Sequence, residues 1–179
     1  MLMRLSSTQY HIRNLTHTTI AVRDILPGEE LTVTYVSIRL PRKERRERLH
    51  YSWGFECTCP HCLLSEEDSD KSDARLAEIE ALQEKLDSPR SVGVRPEDGE
   101  KLVQMYRDEK LDIYLGQALA RAALNYALFG QEDKARQYGA EAAEAVQREW
   151  GPAAGDLPSM RVLAKNPREH WAWERRLMN

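Results

Sequence analysis

The 179-residue chain has only three cysteines, two phenylalanines and nine glycines, and no glycine-rich loop. No apolar run approaches the roughly 18 residues that a membrane-spanning helix requires. Excess positive charge is missing too. Twenty-six Lys and Arg face 29 Asp and Glu, for a net charge of −3, which argues against nucleic-acid binding as the main task. The three cysteines fall within six positions, and an odd, clustered set excludes a disulfide framework. Residues 1–13 hold Arg4 and Arg13 without an acid, a faint presequence character. Their apolar content before Tyr10 is Met1, Leu2, Met3 and Leu5, too little for a secretory core. The expectation is an intracellular protein of cytoplasm or nucleus, with no membrane and no specific nucleic-acid partner.

What the chain does have is Gly54-Phe55-Glu56-Cys57-Thr58-Cys59-Pro60-His61-Cys62. The spacing C-x-C-x-x-C suits a metal, because thiolates are soft ligands and short chelating loops match tetrahedral zinc. A closed structural site needs four ligands, and Cys57, Cys59 and Cys62 are three, so an incomplete zinc site is expected. His61 is held between two ligands of a tight loop, which leaves His11, His17 or water as candidates for the fourth position. Cys59-Pro60-His61-Cys62 also spells a dithiol redox motif, but no βαβ pattern surrounds it. Unligated thiols in a loop are the third reading.

Before this loop the pattern has a period of two. Tyr10 and Ile12 mark one strand, Asn14 to His17 a turn, and Thr18 to Ile25 a return strand. Leu26-Pro27-Gly28-Glu29 has the type II turn signature. Leu31, Val33 and Tyr35 alternate with threonines and predict a third strand. Pro41 opens a helix whose run Lys43 to Arg48 reads as a solvated face with pairs such as Glu44 and Arg48.

These segments together resemble a known family. Val22-Arg23-Asp24-Ile25-x-Pro27-Gly28-Glu29-Glu30-Leu31-Thr32-x-x-Tyr35 looks like the end of a SET domain, the fold of protein-lysine methyltransferases. Arg42-x-x-Arg45-Arg46-x-x-Leu49 and Trp53-Gly54-Phe55-x-Cys57-x-Cys59-x-x-Cys62 look like the segment and post-SET zinc loop that follow it. The SET-and-MYND proteins and their fungal relatives are the group resembled. The resemblance implies that Tyr35 is the active-site tyrosine near the acceptor amine. It also implies that Phe55 packs on the adenine of S-adenosylmethionine and that Trp53 lines the lysine channel. Packing in a small core is the alternative for each of these rings. In the family the fourth zinc cysteine comes from an upstream Asn-His-x-Cys-x-Pro-Asn segment, whose cysteine position is held here by Arg4. That segment and the Gly-rich loop also build the cofactor pocket. Without them the resemblance implies a SET-related chain truncated before the cofactor motifs and inactive alone. The alternative is a noncatalytic zinc-binding protein–protein interaction module.

After the loop, residues 65–73 read as an acidic linker. Leu76, Ile79, Leu82 and Leu86 predict an amphipathic helix, broken at Ser88-Pro89 and again before Pro96. Further helices are predicted from Pro96, over Ile113 to Phe129 with Gly130 as cap, and over Glu132 to Trp150. Ala123, Tyr126, Gly130, Ala135, Tyr138 and Ala142 have tetratricopeptide-type spacing. Trp171 and Trp173 are expected to pin a last helix to the bundle, whose surface would meet a protein substrate or partner. The predicted fold class is α+β followed by all-α. A small antiparallel remnant of a SET domain (1–40) precedes the basic helix and cysteine loop (41–64). The linker (65–73) then leads to a tetratricopeptide-like helical domain (74–179).

Overall fold

The computed structural model describes residues 6–12, 15–22, 24–29, 33–88 and 90–176. Most of the chain is helical, and the β content among the described residues is one hairpin. Strands β1 (Ser6–His11) and β2 (Thr16–Ala21) pair antiparallel, from Ser6 opposite Ala21 to His11 opposite Thr16. The return strand therefore ends before the expected Ile25. The type II turn forms as its sequence demands: Glu29 N–H donates to the Leu26 carbonyl at 3.0 Å, and Gly28 has φ 82°.

The third strand predicted at Leu31 to Tyr35 is not formed over its described residues, 33–35. No described strand lies beside it to complete a ladder, and its side chains are engaged otherwise: Tyr35 meets two aromatic rings and Val36 packs against the cysteine loop. Of the expected α+β part the described residues show one antiparallel hairpin and the cysteine cluster, and the fold is largely helical.

Helix α1 (Arg42–Trp53) starts after Pro41 and stops at Gly54, whose φ of 70° is a left-handed cap that glycine adopts without strain. Helix α2 (Glu66–Asp87) absorbs the segment expected to be a linker. Ser65 caps it by accepting from Asp68 N–H at 3.1 Å, and Glu66, Glu67 and Asp68 sit in the first turn, where the helix dipole favours carboxylates. The acidic run is thus a helix start, and it is not solvated all round, since Ser69 and Ser72 are buried. Ser88, the residue before a proline, leaves the helix with ψ 113°.

Helices α3 (Asp98–Asp108), α4 (Leu115–Leu128), α5 (Glu132–Trp150) and α6 (Leu157–Lys165) form the rest. The helix expected from Ile113 begins instead as a 3-10 turn over Asp112–Tyr114. A three-residue connection makes α4 and α5 antiparallel neighbours. Ala118, Ala122, Ala123 and Ala127 of α4 and Ala135 and Ala142 of α5 are fully buried, and Tyr126 stacks on Tyr138 at 5.6 Å. A β-carbon added to Gly139 of α5 would lie 2.8 Å from Leu163 Cβ and Ala164 N, so only glycine permits this approach of α6. The core joins Leu76, Ile79 and Leu86 of α2 to Leu102, Tyr106, Leu119, Tyr126, Tyr138 and Leu163. At the end of the chain the two tryptophans part company. Trp173 packs on the core beside buried Ala172, whereas Trp171 is 58% exposed, so one ring does the pinning. Backbone N–H groups of Glu174 and Arg176 donate to the Ala127 and Leu128 carbonyls, closing the open end of α4.

Candidate metal centre

The cysteine loop is built by the end of α1. Gly54 N–H donates to the His50 carbonyl, and its left-handed conformation turns the chain back along the helix. Phe55 and Cys57 return to the buried side chain of Leu49, with Val36 packed on the same cluster. A tight turn follows, in which Cys62 N–H and Leu63 N–H both donate to the Cys59 carbonyl, at 2.9 and 3.0 Å. Cys59 N–H also donates to Cys57 Sγ at 3.4 Å. Arg42 Nε donates to the Cys62 carbonyl at 3.0 Å, while Arg42 N–H donates to both oxygens of Asp73 from α2. The loop is therefore fastened to both helices.

All three thiols are buried and free of disulfides, and their sulfurs lie within 4.8 Å of one another. Zinc–sulfur bonds of about 2.3 Å in tetrahedral geometry place thiolates about 3.8 Å apart, so the donor set fits a metal of that kind. Among the described residues the group of convergent donors consists of these three thiols, and His61 is not in it. The side chains of His11 and His17 lie outside the described residues.

Burial pushes the Cys57 thiol up, and the hydrogen bond with the Cys59 thiol, followed by burial, does the same to Cys62. A nucleophilic cysteine needs the opposite shift, which neither Cys57 nor Cys62 has. A bound cation reverses the preference by displacing the thiol protons.

Beside the thiols lies a small cavity of about 30 Å³, lined by the three cysteines, Tyr35, His61 and the charged residues Arg45, Glu109 and Lys110, together with mostly apolar side chains. Burial, then the charge of Arg45, lowers the pKa of His61 and keeps its ring neutral. Tyr35 joins this wall to an aromatic group. Its ring meets Trp53 edge-on at 4.9 Å and Phe55 at 5.5 Å, and Tyr35 and Trp53 are each about half exposed. The residues expected to serve as catalytic tyrosine, channel wall and adenine contact thus form one patch against the thiol loop.

Sequence reasoning missed two groups. Arg45, assigned to a solvated helix face, is 4% exposed. Its spacing of four from Leu49 was the available signal. Glu109, at the end of α3, is buried and accepts from Ser72 Oγ at 2.7 Å and from Arg75 Nε. Nothing local in the sequence marks that contact.

No family model matches the chain. The comparison with curated proteins finds lysine methyltransferases. The chain is 39% identical over 51 residues to N-lysine methyltransferase SMYD2 of Gallus gallus, which is 28% of this chain and 12% of that protein. It is 44% identical over 50 residues to histone-lysine N-methyltransferase SMYD3 of Homo sapiens, again 28% and 12%. Human SMYD2 is 36% identical over 55 residues, 31% of this chain and 13% of the relative. Over that stretch the chain is related to SET-and-MYND lysine methyltransferases, and it spans about an eighth of their length. No helix among the described residues is long and apolar enough to cross a membrane.

Proposed function

We propose that residues 6–62 are the closing segment of a SET domain with its post-SET metal loop, of the type found in SET-and-MYND proteins and their fungal relatives. The observation that carries this reading is the packing of Tyr35 against both Trp53 and Phe55, beside three convergent thiols. Methyl transfer to lysine needs a neutral amine held in line with a methyl sulfonium, so orientation and a dry channel dominate the chemistry. In this reading the Tyr35 hydroxyl stands near the acceptor amine, Trp53 walls the lysine channel, and Phe55 faces the adenine of S-adenosylmethionine. Cys57, Cys59 and Cys62 hold zinc, which closes the loop and keeps Phe55 in place. Residues 74–176 are a tetratricopeptide-like bundle that meets the protein substrate or partner, inside the cell.

The described residues fit the wall of such a site and not the whole cofactor pocket. The cavity beside Tyr35 has room for about two water molecules, and the 179 residues include neither a Gly-rich loop nor an Asn-His-x-Cys-x-Pro-Asn segment. The polypeptide by itself is therefore expected to give background counts when incubated with labelled S-adenosylmethionine and histone or peptide substrates. Turnover that disappears with Tyr35→Phe would show an active enzyme.

A second reading, a noncatalytic metal-bearing interaction module, is favoured by the half-exposed Trp150 and Trp171 of the helical region. Calorimetric titration with S-adenosylmethionine separates the two. Saturable binding weakened by Phe55→Ala supports the SET reading, and no binding supports the module.

A further inference from the structure

Arg45 is a buried cation with no carboxylate partner among the described residues. Its two hydrogen bonds both leave from Nη1, to the carbonyls of Ile38 and Leu40. Nε and Nη2 bond no described residue, and no described acid pairs with the guanidinium. A charge taken out of water and left without a counter-charge is costly, and proteins retain such groups where an opposite charge is supplied. The side chain borders the cavity that Cys57, Cys59 and Cys62 also line. The other charged groups on that cavity are accounted for: Glu109 is held by Arg75 and Ser72, and Lys110 is exposed to solvent.

A divalent cation on three thiolates leaves one net negative charge. We propose that Arg45 is the counter-cation of this metal–thiolate centre, a positioning residue that sets metal affinity without being a ligand. The proposal rests on the reading of the three thiols as a metal site. It gives the buried guanidinium its missing partner, and it gives the thiolates a charge held in place by two backbone carbonyls. Residues just outside a metal's ligand shell commonly tune affinity in this way.

The test titrates the full chain and its Arg45→Met and Arg45→Lys variants with Zn²⁺ against a chromophoric chelator. Cobalt substitution follows the thiolate charge-transfer band, and thermal unfolding is recorded with and without metal. Arg45→Met should bind Zn²⁺ about 10- to 100-fold more weakly, with Arg45→Lys between the two, and its metal-induced rise in Tm should shrink. Equal affinity of the wild-type and Met forms would overturn the role of Arg45. So would an equal loss of Tm in the metal-free and loaded forms, the mark of a merely structural arginine. Should Arg45→Met fail to fold, Arg45→Lys alone decides, since affinity equal to wild type would overturn the proposal. A wild-type chain that binds no metal would overturn the metal reading itself, which keeps the two failures distinct.

Discussion

The two ends of this molecule are held together by different physics. Residues 66–176 bury leucines, alanines and tyrosines in a continuous core, with α3, α4, α5 and α6 packed in succession. Residues 6–62 bury little: Ile12, Leu15 and Leu26 are exposed, Tyr35 and Trp53 are half exposed, and the local core is Leu49 with the three thiols. A region whose local core is three thiols able to hold a metal would take its order from that metal. A region whose core is hydrocarbon takes it from water. The two ends should therefore respond to different perturbations.

The largest effect that would sharpen this contrast comes from the fully buried Leu163. Leu163→Ala should cost about 2–5 kcal/mol in denaturant unfolding of the helical region and leave Zn²⁺ affinity unchanged. Loss of both together would break the contrast.

The pH response of the helical region should come next. Glu149 is buried at the end of α5, accepts from Gly116 N–H at 2.9 Å, and is pushed up by burial to about 7. Because the folded value lies above the ordinary one of 4.5, the group's contribution is full below pH 4.5 and is lost as the pH rises through 7. Stability should fall by about 1–3 kcal/mol between those limits, and Glu149→Gln should flatten the profile. A flat wild-type profile would contradict this.

Metal removal should act on the other end. Chelation, or Cys59→Ser, should speed amide exchange in residues 33–62 at least about tenfold, or 1.4 kcal/mol. Amides of α4 and α5 should not change and should stay the slowest in the chain, while those of β1 and β2 exchange fast. Slow hairpin amides would show that this sheet is covered, and the contrast would fail. The smallest effect belongs to the exposed pair Arg48 and Glu44, 2.5 Å apart on α1. Arg48→Ala should change stability by about 0.3–0.5 kcal/mol or less in thermal unfolding.

Some of this was legible in particular residues. Leu76, Ile79 and Leu86, the alanines of α4 and α5, the Gly54 stop and the cysteine spacing each state a local rule, and each appears in the structure. Val33 and Tyr35 alternate like a strand, but an alternating pattern becomes a strand only beside a partner edge. Ser65 to Asp73 looked like a linker because acids and serines dominate it, although the same residues make a capped helix start.

By itself, then, the sequence determined the helical periodicity of the C-terminal region, the place where α1 ends, and a three-thiol donor set of metal-binding spacing. These follow from chemistry within a few residues of each position. Tertiary structure decided what depends on distant residues. Asp73 meets Arg42, Glu109 meets Ser72 and Arg75, Tyr35 leaves its pattern for Trp53 and Phe55, and Arg45 is buried beside the thiols. Burial and charge pairing are set by whatever packs opposite, and no local pattern carries that information.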